Sequence, residues 1–349
     1  MTKEKNPLSL QLDVSDFLPA DNEEKQSLVV MRQSVSFWRD GLRRFRKNKI
    51  AMTSLVIIIL TMIFAFIGPV FYPYTYEQQI RGSENLAPMQ YSETELALKA
   101  QGEKVFPHIL GTDSLGRDTM VRLMMGSRVS LLVGIVASVL VLLIGSIYGA
   151  VAGYFGGKVD LIMMRIVDII YTVPDILIII LLMVTLKYPL ENLANTVPGF
   201  AWINTIGVGL ICIFIVFSLL YWVGMARIVR SQILMLKEQE FVTAAKALGA
   251  SHRRIIRKHL LTNCMGTLIV TTTLQIPSSI FTESFLSFIG IGVAAPMPSL
   301  GSMASQAING ISSYPYRLLA PAIMISLIIL SFNLIGDGLR DAFDPKLKD

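Results

Sequence analysis

Charged residues are scarce in this sequence: 16% of 349 residues, against roughly a quarter in soluble domains. That deficit excludes an ordinary soluble enzyme and a disordered chain. Cysteine is nearly absent. Cys212 and Cys264 are the only two and both lie in or beside apolar runs, so a disulfide scaffold is excluded and buried apolar roles are expected. The three histidines, His108, His252 and His259, are scattered and share no metal-ligand spacing, so no metal site is expected. No phosphate-binding loop exists. The one Gly-Lys pair, Gly157-Lys158, is followed by Val159 and has no upstream glycine at the required spacing. No Gly-x-Ser-x-Gly elbow occurs. The chain is therefore expected to be neither an enzyme nor an ATP binder. No short apolar core follows Met1, so no cleavable leader is expected.

Long apolar runs are abundant, and hydrophobic residues make up 53% of the chain. A helix crossing the hydrocarbon core needs about 20 mostly apolar residues. Six stretches qualify: 51–70, 129–155, 162–186, 203–225, 265–288 and 318–336. The sequence predicts an all-α integral membrane protein with six transmembrane helices.

Lys and Arg set the orientation. With the N-terminus inside, the inner segments carry 23 of the 31 basic residues. The outer segment 71–128 holds six, offset by seven acids that include Glu95, Asp113 and Asp118. Both termini are expected in the cytoplasm. The net charge of +6 is then a topology signal, and no nucleic-acid partner is expected.

The connecting segments divide as follows. Residues 1–34 read as a polar cytoplasmic tail. In 35–49, Val35, Trp38, Leu42 and Phe45 form one helical stripe flanked by Arg39, Arg43 and Arg46, predicting an interfacial helix on the inner leaflet. The first span follows at 50–71. Segment 72–128 is an outer loop closed by a surface helix, capped by Asp113 or Ser114 and supported by Asp118–Arg122 at i,i+4. The remainder, 129–349, is the core. Gly145, Gly149, Gly153 and Gly157 recur every fourth residue, which predicts close helix packing. The inner loop 226–264 reads as a helix–Gly–helix hairpin. Phe241, Ala244, Ala245 and Leu248 form its apolar face, Gly249 breaks it, and Ser251 can cap the second helix. An apolar face outside the lipid calls for a cytoplasmic protein partner.

Polar groups inside spans are costly and point to function. Asp168 and Arg165 can pair at the inner end of the third span, with Asp175 deeper. Pro277 frees a backbone carbonyl in the fifth. With Ser278, Thr282, Glu283 and Ser284 it forms a polar cluster that either lines a translocation pathway or packs. No chain of carboxylates suggests a proton relay.

Four segments carry a family resemblance: His108-Ile-Leu-Gly-Thr-Asp-Ser-Leu-Gly-Arg-Asp118, Glu240 to Gly249 and on to Asn263, Glu283 to Gly292 with Pro296, Pro298 and Gly301, and Phe332 to Asp341 with Asp344-Pro345. In this order, across six spans, the chain resembles permease subunits of ABC importers. It is most similar to the C-type subunit of the peptide/nickel subfamily, over about residues 35–349. The resemblance implies a type I importer permease bundle in a prokaryotic plasma (inner) membrane. It implies that the hairpin is a coupling helix seated on an ATPase subunit, through Glu240, Thr243, Ala244, Ala245, Gly249, Ala250 and Ser251. Thr243 stands where that loop usually has Glu, and Thr262 where Pro often follows Leu. The first segment, with Gly111, Asp113, Gly116, Arg117 and Asp118, is the family's extracytoplasmic motif.

The implied partners are a second, homologous permease chain, two ATPase subunits that bind ATP and Mg, an extracytoplasmic binding protein, and lipid. The implied function is translocation of oligopeptides or dipeptides by alternating access, and the length of 71–112 leans toward oligopeptides. A nickel or other small-solute importer is the alternative within the family. A stand-alone secondary transporter is the alternative outside it, although no internal repeat supports one.

Overall fold

The computed structural model describes residues 36–293 and 295–343. The expected tail 1–34, Val35 of the interfacial stripe and the Asp344-Pro345 ending lie outside the described residues. Among the described residues the protein is all-helical, with one isolated bridge between Thr112 and Asp118.

Helix α1 (Phe37–Lys47) leads through Asn48 into α2 (Lys49–Phe66). The Asn48 side chain caps α2 by accepting from the Ala51 amide at 3.1 Å. A long loop carries α3 (Glu93–Ala100), whose Ser92 and Glu95 form a capping box. Then come α4 (Thr119–Phe155), α5 (Gly157–Thr172), α6 (Asp175–Thr196), α7 (Val208–Leu220) and α8 (Trp222–Leu236). The hairpin is α9 (Glu240–Ala247) and α10 (His252–Asn263), and α10 meets α11 (Met265–Phe288) at 68°. The chain closes with α12 (Leu300–Ile308) and α13 (Tyr316–Phe343). Five helical stretches (α2, α4, α6, α7–α8 and α13) are long and apolar enough to cross a membrane, and a bent sixth is α10–α11.

Three expected boundaries change. The surface helix before residue 129 is not separate. Helix α4 runs unbroken from Thr119 for 37 residues, and its cap is Asp118, which accepts from the Val121 amide at 3.0 Å, rather than Asp113 or Ser114. The expected span 162–186 is two helices, because Pro174 has no amide hydrogen and pushes Val173 into extended backbone. Only α6 has the length and apolarity to span. The fourth span begins later and runs on to Leu236. The break at Pro198-Gly199 is seen as a short 3-10 turn.

Helix α4 is the centre. One flank packs on α2, α11, α12 and α13, with Leu131, Ile280, Leu300 and Ile328 fully buried. Its other flank meets α7 and α8. Arg128 ties α4 to the end of α2 by donating to the carbonyls of Ala65 (3.1 Å) and Phe66 (2.9 Å), two of the acceptors a helix C-terminus leaves open. The stripe of α1 splits. Phe45 is buried and Gly41 lies against Phe343 of α13, while Trp38 and Leu42 are about half exposed.

The glycine stripe explains the closest approach. A Cβ on Gly145 would stand 2.6 Å from the Met225 Cβ, one on Gly149 would run into the Ala226 carbonyl, and one on Gly153 would sit 3.0 Å from the Arg230 carbonyl. All three face α8. Gly157 does not belong to the stripe. It starts α5 at φ +52° with no heavy atom near. The partner of the stripe is a helix of the same chain.

Ala normally outperforms Gly in a helix by about 1 kcal/mol. Gly149→Ala is expected to reverse this and lower stability by about 1–3 kcal/mol through overpacking. Gly224→Ala on α8, where no heavy atom lies within 4 Å, is expected to hold or raise it. Thermal unfolding of the purified chain in detergent measures both, and equal effects would show that α4 and α8 are not in backbone contact.

Candidate functional site

The hairpin at one end of the bundle is built by a helix stop. Helix α9 ends in a Schellman pair: the Gly249 amide donates to the Lys246 carbonyl (2.9 Å) and the Ala250 amide to the Ala245 carbonyl (3.0 Å). Gly249 takes φ +76°, a backbone region that glycine occupies without penalty. Val242 and Ala245 turn inward and pack with Ile255 and Leu260. The expected apolar face therefore divides. Ala245 is inside, while Phe241, Ala244 and Leu248 point outward, Leu248 at 88% exposure. Val242 is the buried anchor that the helical pattern did not single out.

Glu240 and Thr243, one turn apart, are both exposed beside this apolar tip. Ser251 occupies the cap position of α10 but makes no side-chain cap bond. Helix α10 is widened into a π-turn over Ile255–Leu260, and Thr262 donates back to the Arg257 carbonyl at 3.3 Å. The hairpin is tied to the end of α4, where the Tyr154 hydroxyl and His252 Nδ1 lie 2.7 Å apart.

The polar cluster of α11 separates onto two faces. Pro277, Glu283 and Ser284 are buried within the chain. Glu283 accepts from the hydroxyls of Ser130 of α4 and Ser287, both at 2.8 Å. Ser278 and Thr282 lie on a more open face, where the Thr282 hydroxyl meets that of Tyr221 at 2.9 Å. Tyr221 also borders a cavity of about 500 Å³ between the α5–α6 break and the α7–α8 junction, with Tyr171, Pro174, Asp175 and Ile178. Tyr221 escaped the sequence reading, although a tyrosine in mid-span is itself a polar signal. Asp168 pairs with Arg227 of α8 at 2.9 Å, not with Arg165.

At the opposite end, the loop between α2 and α4 is a polar clasp. Gly111, at φ +71°, leaves no room for a Cβ beside the Leu86 carbonyl, and Gly116 abuts the Ile80 carbonyl in the same way. Asp113 makes an Asx turn, accepting from the amides of Leu115 (2.8 Å) and Arg117 (3.0 Å) and from Arg117 Nε (2.7 Å). Asp118 does not pair with Arg122. Its second oxygen lies 2.7 Å from His108 Nδ1 and accepts from the Tyr72 hydroxyl at 3.2 Å. The other ring nitrogen of His108 is 3.0 Å from Glu95. Arg122 instead reaches Gln306 of α12 at 3.0 Å and Asp113 at 3.6 Å. The motif residues are thus brought together around His108, the first residue of the segment, with Glu95 and Gln306 as members from outside it.

Burial of His108 opposes its charge, but the hydrogen bonds and negative charges of Asp118 and Glu95 outweigh it, so the imidazole is held above its ordinary pKa. Burial beside Glu95 and Asp118 likewise raises the Tyr74 phenol to about 12.

A hairpin with an exposed apolar tip, carried on a bundle of up to six candidate spans, belongs, with the family match, to a multi-pass helical permease of the type I fold of ABC importers. The family of binding-protein-dependent transport system inner membrane components matches residues 145–349, and the N-terminal transmembrane domain of oligopeptide transport permease C matches 36–88. The chain belongs to this family of permease subunits. It is 42% identical to the oligopeptide transport system permease protein OppC of Bacillus subtilis, over 95% of this chain and 97% of that one. It is 43% identical to the dipeptide transport system permease protein DppC of Bacillus subtilis, over 94% and 92%. Identity to OppC of Escherichia coli is 36%, over 89% and 92%.

A histidine whose pKa is raised on folding adds stability below its unfolded value, near 6.5, and loses it as pH climbs through the folded value. The midpoint of thermal unfolding is expected to fall as pH rises from 6 toward 9, and His108→Gln is expected to flatten that slope. A wild-type midpoint that rises over this range would refute a charged His108.

Proposed function

We propose that this chain is one of two unlike permease subunits of an ATP-driven peptide importer in a bacterial plasma membrane. The observation that carries the reading is the hairpin tip. Leu248, almost fully exposed, stands with Phe241 and Ala244 beside an open Gly249, while the same helix is anchored inside by Val242. An apolar tip on a rigid base, with a carboxylate at Glu240, suits insertion into a groove of an ATPase subunit. Thr243 cannot offer an ion pair there, and Glu240 supplies the negative charge one turn earlier. ATP and Mg belong to those partner subunits.

The orientation follows from basic residues. The hairpin segment holds Arg253, Arg254, Arg257 and Lys258, all exposed, so that end faces the cytoplasm and the clasp faces outward, where a binding protein delivers substrate. Helix α6 is covered over only 11% of its apolar window, and α5 exposes Leu161, Ile162 and Ile169. A second, homologous permease chain covers this side together with lipid. The pathway then runs between the two chains, along the face that bears Ser278, Thr282, Tyr221 and Asp175. Pro277, Glu283 and Ser284 support that face from behind. Movement of the hairpin passes through α8 and its close contact with α4, and the bundle opens alternately to each side. Relatives named for oligopeptide and dipeptide transport support a peptide substrate.

Leu248→Asp is expected to weaken co-purification with the ATPase subunits by at least about tenfold in affinity without lowering the chain's own unfolding temperature, since the side chain is in solvent. Gly249→Asp is expected to insert normally yet uncouple ATP hydrolysis from peptide uptake. Wild-type uptake by both variants, or transport by the purified chain alone in liposomes, would overturn the assignment in favour of a stand-alone transporter.

A further inference from the structure

A small cavity lies inside the clasp, between the first turn of α4, helix α12 and the start of α13. Its volume is about 30 Å³, enough for one water or a halide. Asp113, Thr119, Arg122, Gln306 and Arg317 are among its lining residues. Thr119, Arg122 and Arg317 are 5%, 2% and 9% exposed.

Hydrogen-bond donors outnumber acceptors here. Arg117 and Arg122 both donate to the one Gln306 amide oxygen, at 3.2 and 3.0 Å. Asp113 is shared between Arg117 Nε at 2.7 Å and Arg122 Nε at 3.6 Å. Arg317 uses one terminal nitrogen on Asn85 and lies over the Tyr314 ring, 4.4 Å from its centroid. Of the five buried side-chain polar atoms without a hydrogen-bond partner among the described residues, three belong here: Arg122 Nη1, Arg317 Nε and the Thr119 hydroxyl. All three residues line the cavity.

The charges do not balance either. Three guanidiniums meet one carboxylate, because Asp118 is occupied by His108, Tyr72 and the α4 cap. Counting the neighbouring His108 group, in which one imidazolium faces Asp118 and Glu95, one positive charge is left over in a largely desolvated place, and burying unpaired charge is costly. A water would satisfy a donor but not the charge. A small anion does both, through charge-assisted hydrogen bonds.

We propose that this cavity binds a small monovalent inorganic anion, chloride or a halide like it, held by Arg122, Arg317 and the Thr119 hydroxyl. The bound anion joins the α2–α4 loop to α12 and α13 and stabilises the clasp. This site is separate from the hairpin and does not depend on the importer assignment.

The test is thermal unfolding of the purified full-length chain, titrated with sodium chloride against sodium gluconate at fixed ionic strength. A saturable rise in unfolding temperature with chloride, reproduced by bromide and absent with gluconate, is expected. Arg317→Gln is expected to shift the chloride midpoint by at least about tenfold, the loss of one charged hydrogen bond. Thr119→Val keeps shape and charge, so it is the variant most certain to fold, and it is expected to shift the midpoint several-fold. Equal unfolding temperatures in chloride and gluconate would overturn the proposal, as would an unchanged chloride midpoint in Thr119→Val.

Discussion

The backbone contact between α4 and α8 is the constraint on which the rest of the molecule depends. Lipid tails are as apolar as leucine side chains, so helices in a bilayer gain little from hydrophobic burial against one another. They hold together by close packing and by hydrogen bonds. Gly145, Gly149 and Gly153 let α4 approach α8 until backbone carbonyls of Trp222, Ala226 and Arg230 occupy the space a side chain would fill. Everything at the hairpin end rests on that pair. Asp160 of α5 grips Arg230 of α8 with both carboxylate oxygens, Tyr154 of α4 touches His252 of α10, and the inner face of α9 packs on Ile255 and Leu260. The hairpin therefore sits on a rigid base.

Helix α4 is joined to its other neighbours by different chemistry. Halfway along, Glu283 of α11 is a polar group that needs internal partners, because the bilayer core offers none. Ser130 of α4 and Ser287 provide them. At the loop end, where water is near, the joints are charged. Asp118 caps α4 and holds His108, Asp113 gathers Arg117, and Gln306 of α12 receives two guanidiniums. One long helix is thus fixed by steric fit at one end, by hydroxyl–carboxylate bonds in the middle and by ion pairs at the other.

Much of this was legible in the sequence. Apolar length located the spans, since a run of 20 apolar residues has few alternatives to crossing a bilayer. Glycine periodicity announced close packing, and the Gly249 break announced a hairpin. The errors fall where a local pattern has two physical outcomes. Asp118 and Arg122 stand four apart on paper, but a better partner, His108, was ten residues upstream and buried. The stretch capped by Asp113 or Ser114 and ending at Arg128 reads as a surface helix supported by an Asp118–Arg122 pair, yet its helical part is the start of α4, which carries Arg122 and Arg128. They are accommodated by Gln306, by Asp113 and by the end of α2, none of which is near in sequence. Pro174 within an apolar run can kink a helix or end it, and here it ends it.

What the sequence determined by itself is the class of element and its order: apolar helices of spanning length, a hairpin with one apolar stripe, and a glycine face awaiting a partner. These depend on hydropathy and on residues a few positions apart, which periodicity reports directly. Only the tertiary structure decided which helix fills the glycine groove, that Val242 and Ala245 turn inward while Leu248 faces out, and that Glu283 looks toward Ser130 while Thr282 looks toward Tyr221. Those choices rest on contacts between residues tens to hundreds of positions apart. They are settled by where helix axes cross, and no local pattern encodes that.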